Sequence, residues 1–282
     1  MENFGGHGLR KYPLVKSVKN FMISHAKSDF AEIQGHKMFL GTKDSLGLSI
    51  KGSYEELESK LVKKEIQKGN VVLDLGANIG YFTLLFAKLV GNEGKVFAFE
   101  PEPNNFALLK KNIEINGYKN ITLENMAISN NVGKIKLYIS NIRTGMHRIY
   151  PSHFCTKKFV EVKTTTLDEY FKNQDFIEKI SFIKMDVEGS ELGILKGMKK
   201  IFEKNMKLKL LLEFVPSCIK EYGADPSELL KLLTDEGFQI NYTIDEDQRL
   251  ESVSNLNLLL KKFDGDKFEK TPKGTNLFCV RN

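Results

Sequence analysis

Three carboxylates stand close together in Asp186-Val-Glu-Gly-Ser-Glu191. A carboxylate within hydrogen-bond reach of an alcohol can take its proton while the oxygen attacks an electrophile. In an extended segment residues i and i+2 point to the same side, so Asp186 and Glu188 can both face one cleft. Glu191 suits the first turn of a helix, where the dipole favours an acid. A second group of residues lies far upstream, in Asp74-Leu-Gly-Ala-Asn-Ile-Gly80. A dinucleotide loop follows G-x-G-x-x-G, whose middle glycine leaves room for a pyrophosphate. Here Asn78 occupies part of that room, and the loop better suits a nucleoside with an amino-acid tail and no phosphate. Turn amides meet the carboxylate of such a tail, Asp74 its ammonium, and S-adenosylmethionine is the ligand of that description. Glu100 ends the apolar run Lys95-Val-Phe-Ala-Phe-Glu100, at the distance past a glycine loop where a ribose diol finds its acceptor. Pro101 holds it extended.

These residues need a scaffold of strands whose carboxyl ends meet. Val71 to Leu75 is a short β-branched apolar run, the pattern of a strand buried on both faces. Ile79 to Val90 reads as a buried helix stopped by Gly91. Pro103 to Asn116 follows as a helix ended by Gly117, then Ile121 to Leu123 as a third strand, with Met126 and Ala127 after it beside the expected adenine. Lys134 to Ile139 and Phe159 to Thr165 are strand-like, and the polar stretch Asn141 to Lys158 between them is a candidate substrate-facing loop. Its histidines, His147 and His153, are secondary candidates for acid–base work. Thr166 to Phe171 reads as a helix, Ile180 to Met185 as the fourth strand, Gly189 to Met198 as a helix, and Leu208 to Val215 as a strand containing Glu213. Asp225-Pro-Ser-Glu228 caps a helix through Asp235. Phe238 to Ile244 and Thr275 to Val280 close the sheet as an antiparallel pair, and Asp245 to Lys273 reads as surface loop. At the N-terminal side, Leu14 to His25 suggests a helix. Lys37 to Leu40 and Leu46 to Ile50 suggest a hairpin, and Ser53-Tyr-Glu-Glu56 a capping box for a helix to Lys68. Strands alternating with helices predict a mostly parallel α/β sheet covered on both faces, with ligands beyond the strands' carboxyl ends. The expected organisation is an N-terminal extension over residues 1–50, read equally as a cover over the cleft or as simple packing, and one domain over 51–282.

Composition is that of a globular chain: 282 residues, 41% hydrophobic and 28% charged, enough for a sizeable core. The 42 basic and 36 acidic residues leave +6, spread over the sequence and forming no nucleic-acid groove. Cys155, Cys218 and Cys279 are far apart and odd in number, which argues against a disulfide framework and for a reducing, cytoplasmic setting. No apolar run reaches membrane-spanning length, and the N-terminus lacks a signal-peptide core.

Asp74-Leu-Gly-Ala-Asn-Ile-Gly80, Phe99-Glu-Pro101 and Ile183-Lys-Met-Asp-Val-Glu-Gly189 together resemble the FkbM family of class I S-adenosylmethionine-dependent methyltransferases. The closing Asn276-Leu-Phe-Cys-Val-Arg281 is similar to that family's last strand. The resemblance spans about residues 50–282 and rests most specifically on Asp186 to Glu191. It implies a Rossmann-like, seven-stranded sheet with a reversed last strand, and O-methylation of a hydroxyl on a sugar, glycan or small natural product. It also implies that Asp74, Gly76, Ala77, Asn78, Gly80 and Tyr81 meet the methionine part of the cofactor, Glu100 and Pro101 the ribose, and Met126 and Ala127 the adenine. Tyr81 is equally well read as a core tyrosine.

The acids after the fourth strand, Asp186, Glu188 and Glu191, are the candidate catalytic residues. A pair of acids can instead hold magnesium, but no histidine or further carboxylate at ligand spacing supports a metal, and none is expected. The chain lacks the Asn/Asp-Pro-Pro-aromatic run of amino methylation and a motif around Cys218 for carbon methylation, so an oxygen acceptor is expected. The competing classes are a nucleotide-dependent oxidoreductase, disfavoured by the loop, and a non-catalytic cofactor-binding protein, disfavoured by the carboxylates.

Overall fold

A computed structural model describes residues 30–41, 44, 46–244, 248–265 and 272–281. In chain order it contains β1 (Ala31–Ile33), β2 (His36–Met38), α1 (Leu48–Lys51), α2 (Glu56–Glu65), β3 (Val71–Leu75), α3 (Tyr81–Val90), β4 (Lys95–Phe99) and α4 (Pro103–Asn116). There follow β5 (Ile121–Glu124), β6 (Ala127–Ile128), β7 (Gly133–Tyr138), β8 (Phe159–Thr165), α5 (Leu167–Tyr170), β9 (Ile180–Met185), α6 (Glu191–Lys196) and α7 (Lys199–Lys204). The last elements are β10 (Lys209–Phe214), α8 (Pro216–Tyr222), α9 (Pro226–Asp235), β11 (Phe238–Ile244), β12 (Arg249–Ser252), α10 (Leu256–Phe263) and β13 (Thr275–Arg281).

The main sheet runs β12-β11-β13-β10-β9-β3-β4-β5. β5, β4, β3, β9 and β10 are mutually parallel, whereas β13 is antiparallel to both β10 and β11. The chain leaves β3 toward β4 and β5 and returns on the other side as β9, so a crevice opens at the carboxyl ends of β3 and β9. Alternation sorts the core onto the two faces. Leu73 and Leu75 join Phe99, Met185 and Leu212 on one face, and Val72 joins Phe86, Phe182 and Phe278 on the other. A separate three-stranded sheet, β6-β8-β7, carries the polar insert between β7 and β8.

Several sequence expectations change. The main sheet has eight strands among the described residues, because β12 adds an antiparallel edge to β11. Part of Asp245 to Lys273 is therefore regular: β12 is followed by α10, whose Asn255 side chain accepts from the N–H groups of Asn257 and Leu258. The N-terminal hairpin is β1–β2, turning at Gln34 and Gly35, and residues 48–51 are helical. Asp44 supplies the physical reason, since its carboxylate accepts from the N–H groups of Leu48 and Ser49 and starts a helix there. The Ser53 hydroxyl donates to Glu56 instead of capping a backbone group, and α2 begins after Glu55 in a left-handed conformation and ends at Ile66. The expected helix over Leu14 to His25 lies outside the described residues.

Residues 30–41 dock on α4. Asn112 bridges Phe39 N–H and carbonyl, and His36 Nε2 meets the Tyr118 hydroxyl at 2.7 Å.

Candidate active site

The end of β3 is closed by contacts that its residue types require. Gly76 has φ +83°, and a Cβ there would lie 1.9 Å from the Asp186 carbonyl oxygen. The glycine loop is thus packed against the end of β9, and only glycine allows that approach. The N–H groups of Gly76 and Ala77 both donate to the Phe99 carbonyl at 3.0 Å, and Asp186 N–H donates to Leu75. Three strand ends are bound into one edge.

Glu100 occupies the next strand end and is only 5% exposed. Its Oε2 accepts from Asn78 N–H at 2.7 Å and its Oε1 from Glu102 N–H at 2.8 Å. Burial pushes its carboxyl up to about 8, against the pull of those backbone donors. Asp74 lies deeper. It accepts the Thr83 hydroxyl at 2.5 Å, and burial raises it to about 6 despite the nearby Lys184 cation.

A cavity of about 510 Å³ opens at this edge. It is lined by Asp74, Gly76, Ala77, Asn78, Tyr81, Glu100, Pro101, Met126, Ala127, Asp186 and Glu188, so eleven expected site residues share one space. Gly80 and Glu191 do not line it. Gly80 is the left-handed cap of α3, packed on Leu109. Glu191 is 1% exposed and accepts from Gly189 N–H, as a helix-start acid does. Tyr81 is buried as a core tyrosine and also lines the cavity; its hydroxyl meets Ser59 at 3.0 Å and Tyr54 packs edge-on at 6.0 Å.

The acids after β9 are not free groups. Asp186 pairs with Lys184 at 3.0 Å. Lys184 is in register with Asp74 and lies over the Phe82 ring at 4.6 Å. The backbone turns at Glu188, with φ 56°, so the two acids converge through a bend and not through an extended i, i+2 pattern. Glu188 pairs at 3.1 Å with Arg148, which is 1% exposed, and the other arm of Arg148 pairs with Glu221 at 2.8 Å. Burial first, then the Asp186 charge, pushes Glu188 up to about 8. Tyr150 donates its hydroxyl to the Glu188 carbonyl at 2.6 Å. The polar insert is therefore clamped to the end of β9 by Arg148 and Tyr150, and its Arg143, Thr144, Gly145, Met146 and His147 also line the cavity.

His147 Nδ1 accepts from Ser140 N–H at 3.0 Å. That bond places the neutral ring's proton on Nε2, so His147 faces the cavity as a donor. Burial lowers its proton affinity further. His153 pairs with Glu221 at 3.0 Å and does not line the cavity.

Sequence reasoning passed over Tyr54, Glu55, Lys184, Arg148 and Glu213, all of which line the cavity. For Glu213 a signal was available, a lone acid inside an apolar strand, the same signal that marks Asp74. Carboxylate oxygens of Asp186, Glu188 and Glu213 lie within 4.8 Å of one another, so a third carboxylate does join the expected pair. Three oxygens of cavity-lining residues, Asn78 Oδ1, Glu55 Oε2 and Glu213 Oε2, are buried with no hydrogen-bond partner among the described residues. Orphan acceptors of this kind fit a ligand rich in donors and positive charge, which an ammonium, a sulfonium and ribose hydroxyls together provide.

Comparison with known proteins gives the same direction. A family model described as the methyltransferase FkbM domain matches residues 74–240. A model for protein-L-isoaspartate(D-aspartate) O-methyltransferase matches residues 15–132, ending before the insert and the acid cluster. Hexuronic acid methyltransferase AglP of Haloferax volcanii is 30% identical over 177 residues, covering 62% of this chain and 66% of its own length, just under two thirds. The methyltransferase sdnD of Sordaria araneosa is 28% identical, over 60% of this chain and 73% of its own. The 2-O-methyltransferase NoeI of Sinorhizobium fredii is 26% identical, over 52% and 71%. A solved structure of Aeropyrum pernix fibrillarin with natively bound S-adenosyl-L-methionine aligns over 80% of this chain and 74% of that one, at 12% identity and a TM-score of 0.44.

Proposed function

The chain belongs to the methyltransferase FkbM family, and we propose that it methylates a hydroxyl oxygen of a sugar, glycan or small natural product. It is an S-adenosylmethionine-dependent methyltransferase. The observation that carries the oxygen reading is the single cavity that holds the Glu100-tied loop at one end and three carboxylates at the other.

In this reading the loop residues Asp74, Gly76, Ala77, Asn78 and Gly80, with Tyr81, hold the methionine end of the cofactor. Glu100 and Pro101 meet the ribose, and Met126 and Ala127 flank the adenine. Glu100 keeps lone pairs for a diol after accepting its two backbone N–H groups, because the two oxygens of a carboxyl group hold more lone pairs than those two bonds use. The cofactor supplies a methyl group already activated by positive sulfur. The chain must align the acceptor oxygen, exclude water and take one proton. Residues 30–50 contribute Asp44, Leu46 and Gly47 to the cavity wall, which supports their role as a cover. The relatives named for hexuronic acid and 2-O methylation support a carbohydrate acceptor.

Calorimetry with S-adenosylhomocysteine and NAD tests the cofactor end. S-adenosylhomocysteine should bind at low micromolar affinity, about −8 kcal/mol, and NAD should not. Incubation with labelled S-adenosylmethionine and a panel of neutral and acidic sugars, read by mass spectrometry, tests the acceptor. A product methylated on nitrogen or carbon would overturn the oxygen reading.

A further inference from the structure

We infer that Glu213, on β10, is the base that receives the acceptor's proton. The inference rests on the O-methyl transfer proposed above. Asp186 and Glu188 share the cavity with Glu213, but each is held by a cation: Asp186 by Lys184 at 3.0 Å, Glu188 by Arg148 at 3.1 Å. A carboxylate in an ion pair has lone pairs already engaged by its cation. Glu213 lines the cavity, its Oε2 makes no hydrogen bond among the described residues, and one of its carboxylate oxygens lies within 4.8 Å of those of Asp186 and Glu188. Glu188, Asp186, Glu191 and Glu55 surround Glu213 with charge of its own sign. Burial and those charges raise its affinity for a proton well above the usual carboxylate range. Glu55 Oε2 is also without a partner, but the Lys184 cation offsets its charge.

Glu213 takes the hydroxyl hydrogen as the acceptor oxygen bonds to the methyl carbon, and the carbon–sulfur electron pair stays on sulfur. The products are the methyl ether, S-adenosylhomocysteine and neutral Glu213, whose proton then passes to water.

The test needs no acceptor. Sinefungin is S-adenosylhomocysteine with an amine-bearing carbon in place of sulfur, so its ammonium stands where the transferring methyl would be. Calorimetry at pH 8 compares the two ligands on wild type, Glu213→Gln, Glu213→Asp and Glu55→Gln. Wild type should prefer sinefungin by about tenfold, the scale of one charge-assisted contact. Glu213→Gln should lose that preference while its S-adenosylhomocysteine affinity stays within about threefold, and Glu213→Asp should retain part of it. An unchanged preference in Glu213→Gln, or its loss in Glu55→Gln alone, overturns the inference and leaves the cofactor reading standing. Failure of wild type to bind either ligand overturns both. A magnesium-dependent rise in melting temperature that Glu213→Gln abolishes would instead make the triad a cation site.

Discussion

Glu100 carries two duties through one carboxylate. It accepts the N–H of Asn78 and of Glu102, which ties the glycine loop to the β4 end, and it offers its remaining lone pairs to the cavity. Replacing it with alanine should therefore cost cofactor affinity by about 1.5–3 kcal/mol, the range for hydrogen bonds to a charged group. Calorimetry with S-adenosylhomocysteine checks this. A strand-end acid by itself suggests little effect on folding, but the two backbone N–H groups left without Glu100 should also lower stability by about 1–3 kcal/mol. Denaturant midpoints of Glu100→Ala and Glu100→Gln measure that second duty separately.

At the scale of elements, two contacts decide whether the edge exists. Gly76 lets β3 and β9 close to a distance that a Cβ 1.9 Å from Asp186 would forbid. Gly76→Ala should lose about 2 kcal/mol or more, from strain at positive φ and from the clash, and should lose cofactor binding with it. A melting temperature and ligand affinity equal to wild type would show that the loop has another way to pack. Arg148 joins the insert to α8 and to the end of β9 through Glu221 and Glu188. Arg148→Met leaves two half-buried acids without their cation and should destabilise by about 3–5 kcal/mol, as breaking a buried pair does. Hydrogen exchange in residues 141–158 should rise in that variant before the main sheet opens.

Across the whole molecule the site concentrates buried acids in a small volume. Burial raises Glu55 and Glu191 to about 7, and Glu100 and Glu188 to about 8, from ordinary values of 4.5. The folded chain thus holds protons that the unfolded chain has released. The stability this contributes is complete below about pH 4.5 and is lost as pH rises through 7 to 8. Burial opposes the Lys184 cation, but the surrounding carboxylates hold its proton affinity above the ordinary value, so it stays charged over that range. His36, lowered to about 4 by burial, is neutral there. The melting temperature of the ligand-free protein should accordingly be lower at pH 9 than at pH 7. A curve flat over that window would mean that the acids ionise normally in the fold.

The fold class was legible because burial on both faces of β3, β4, β9 and β10 leaves near-continuous apolar runs, and because Gly91, Gly117 and Asp225 punctuate helices by local chemistry. The meeting of the glycine loop with Glu100 was legible for a related reason. Gly76, Asn78 and Glu100 lie within a few residues of a strand end, and local spacing records such positions. The N-terminal hairpin was misplaced because residues 36–39 are held by Asn112 of α4 and by Tyr118 just after it, and those contacts are distant in sequence. β12 was missed because an edge strand paired on one side shows no buried run. The acceptor end depends still more on tertiary structure. Arg148, Lys184 and Glu213 come from three elements, and only their meeting decides which carboxylates are paired and which one is left to take a proton. Ion pairing is a property of distance in space, and one chain read in order holds no record of it.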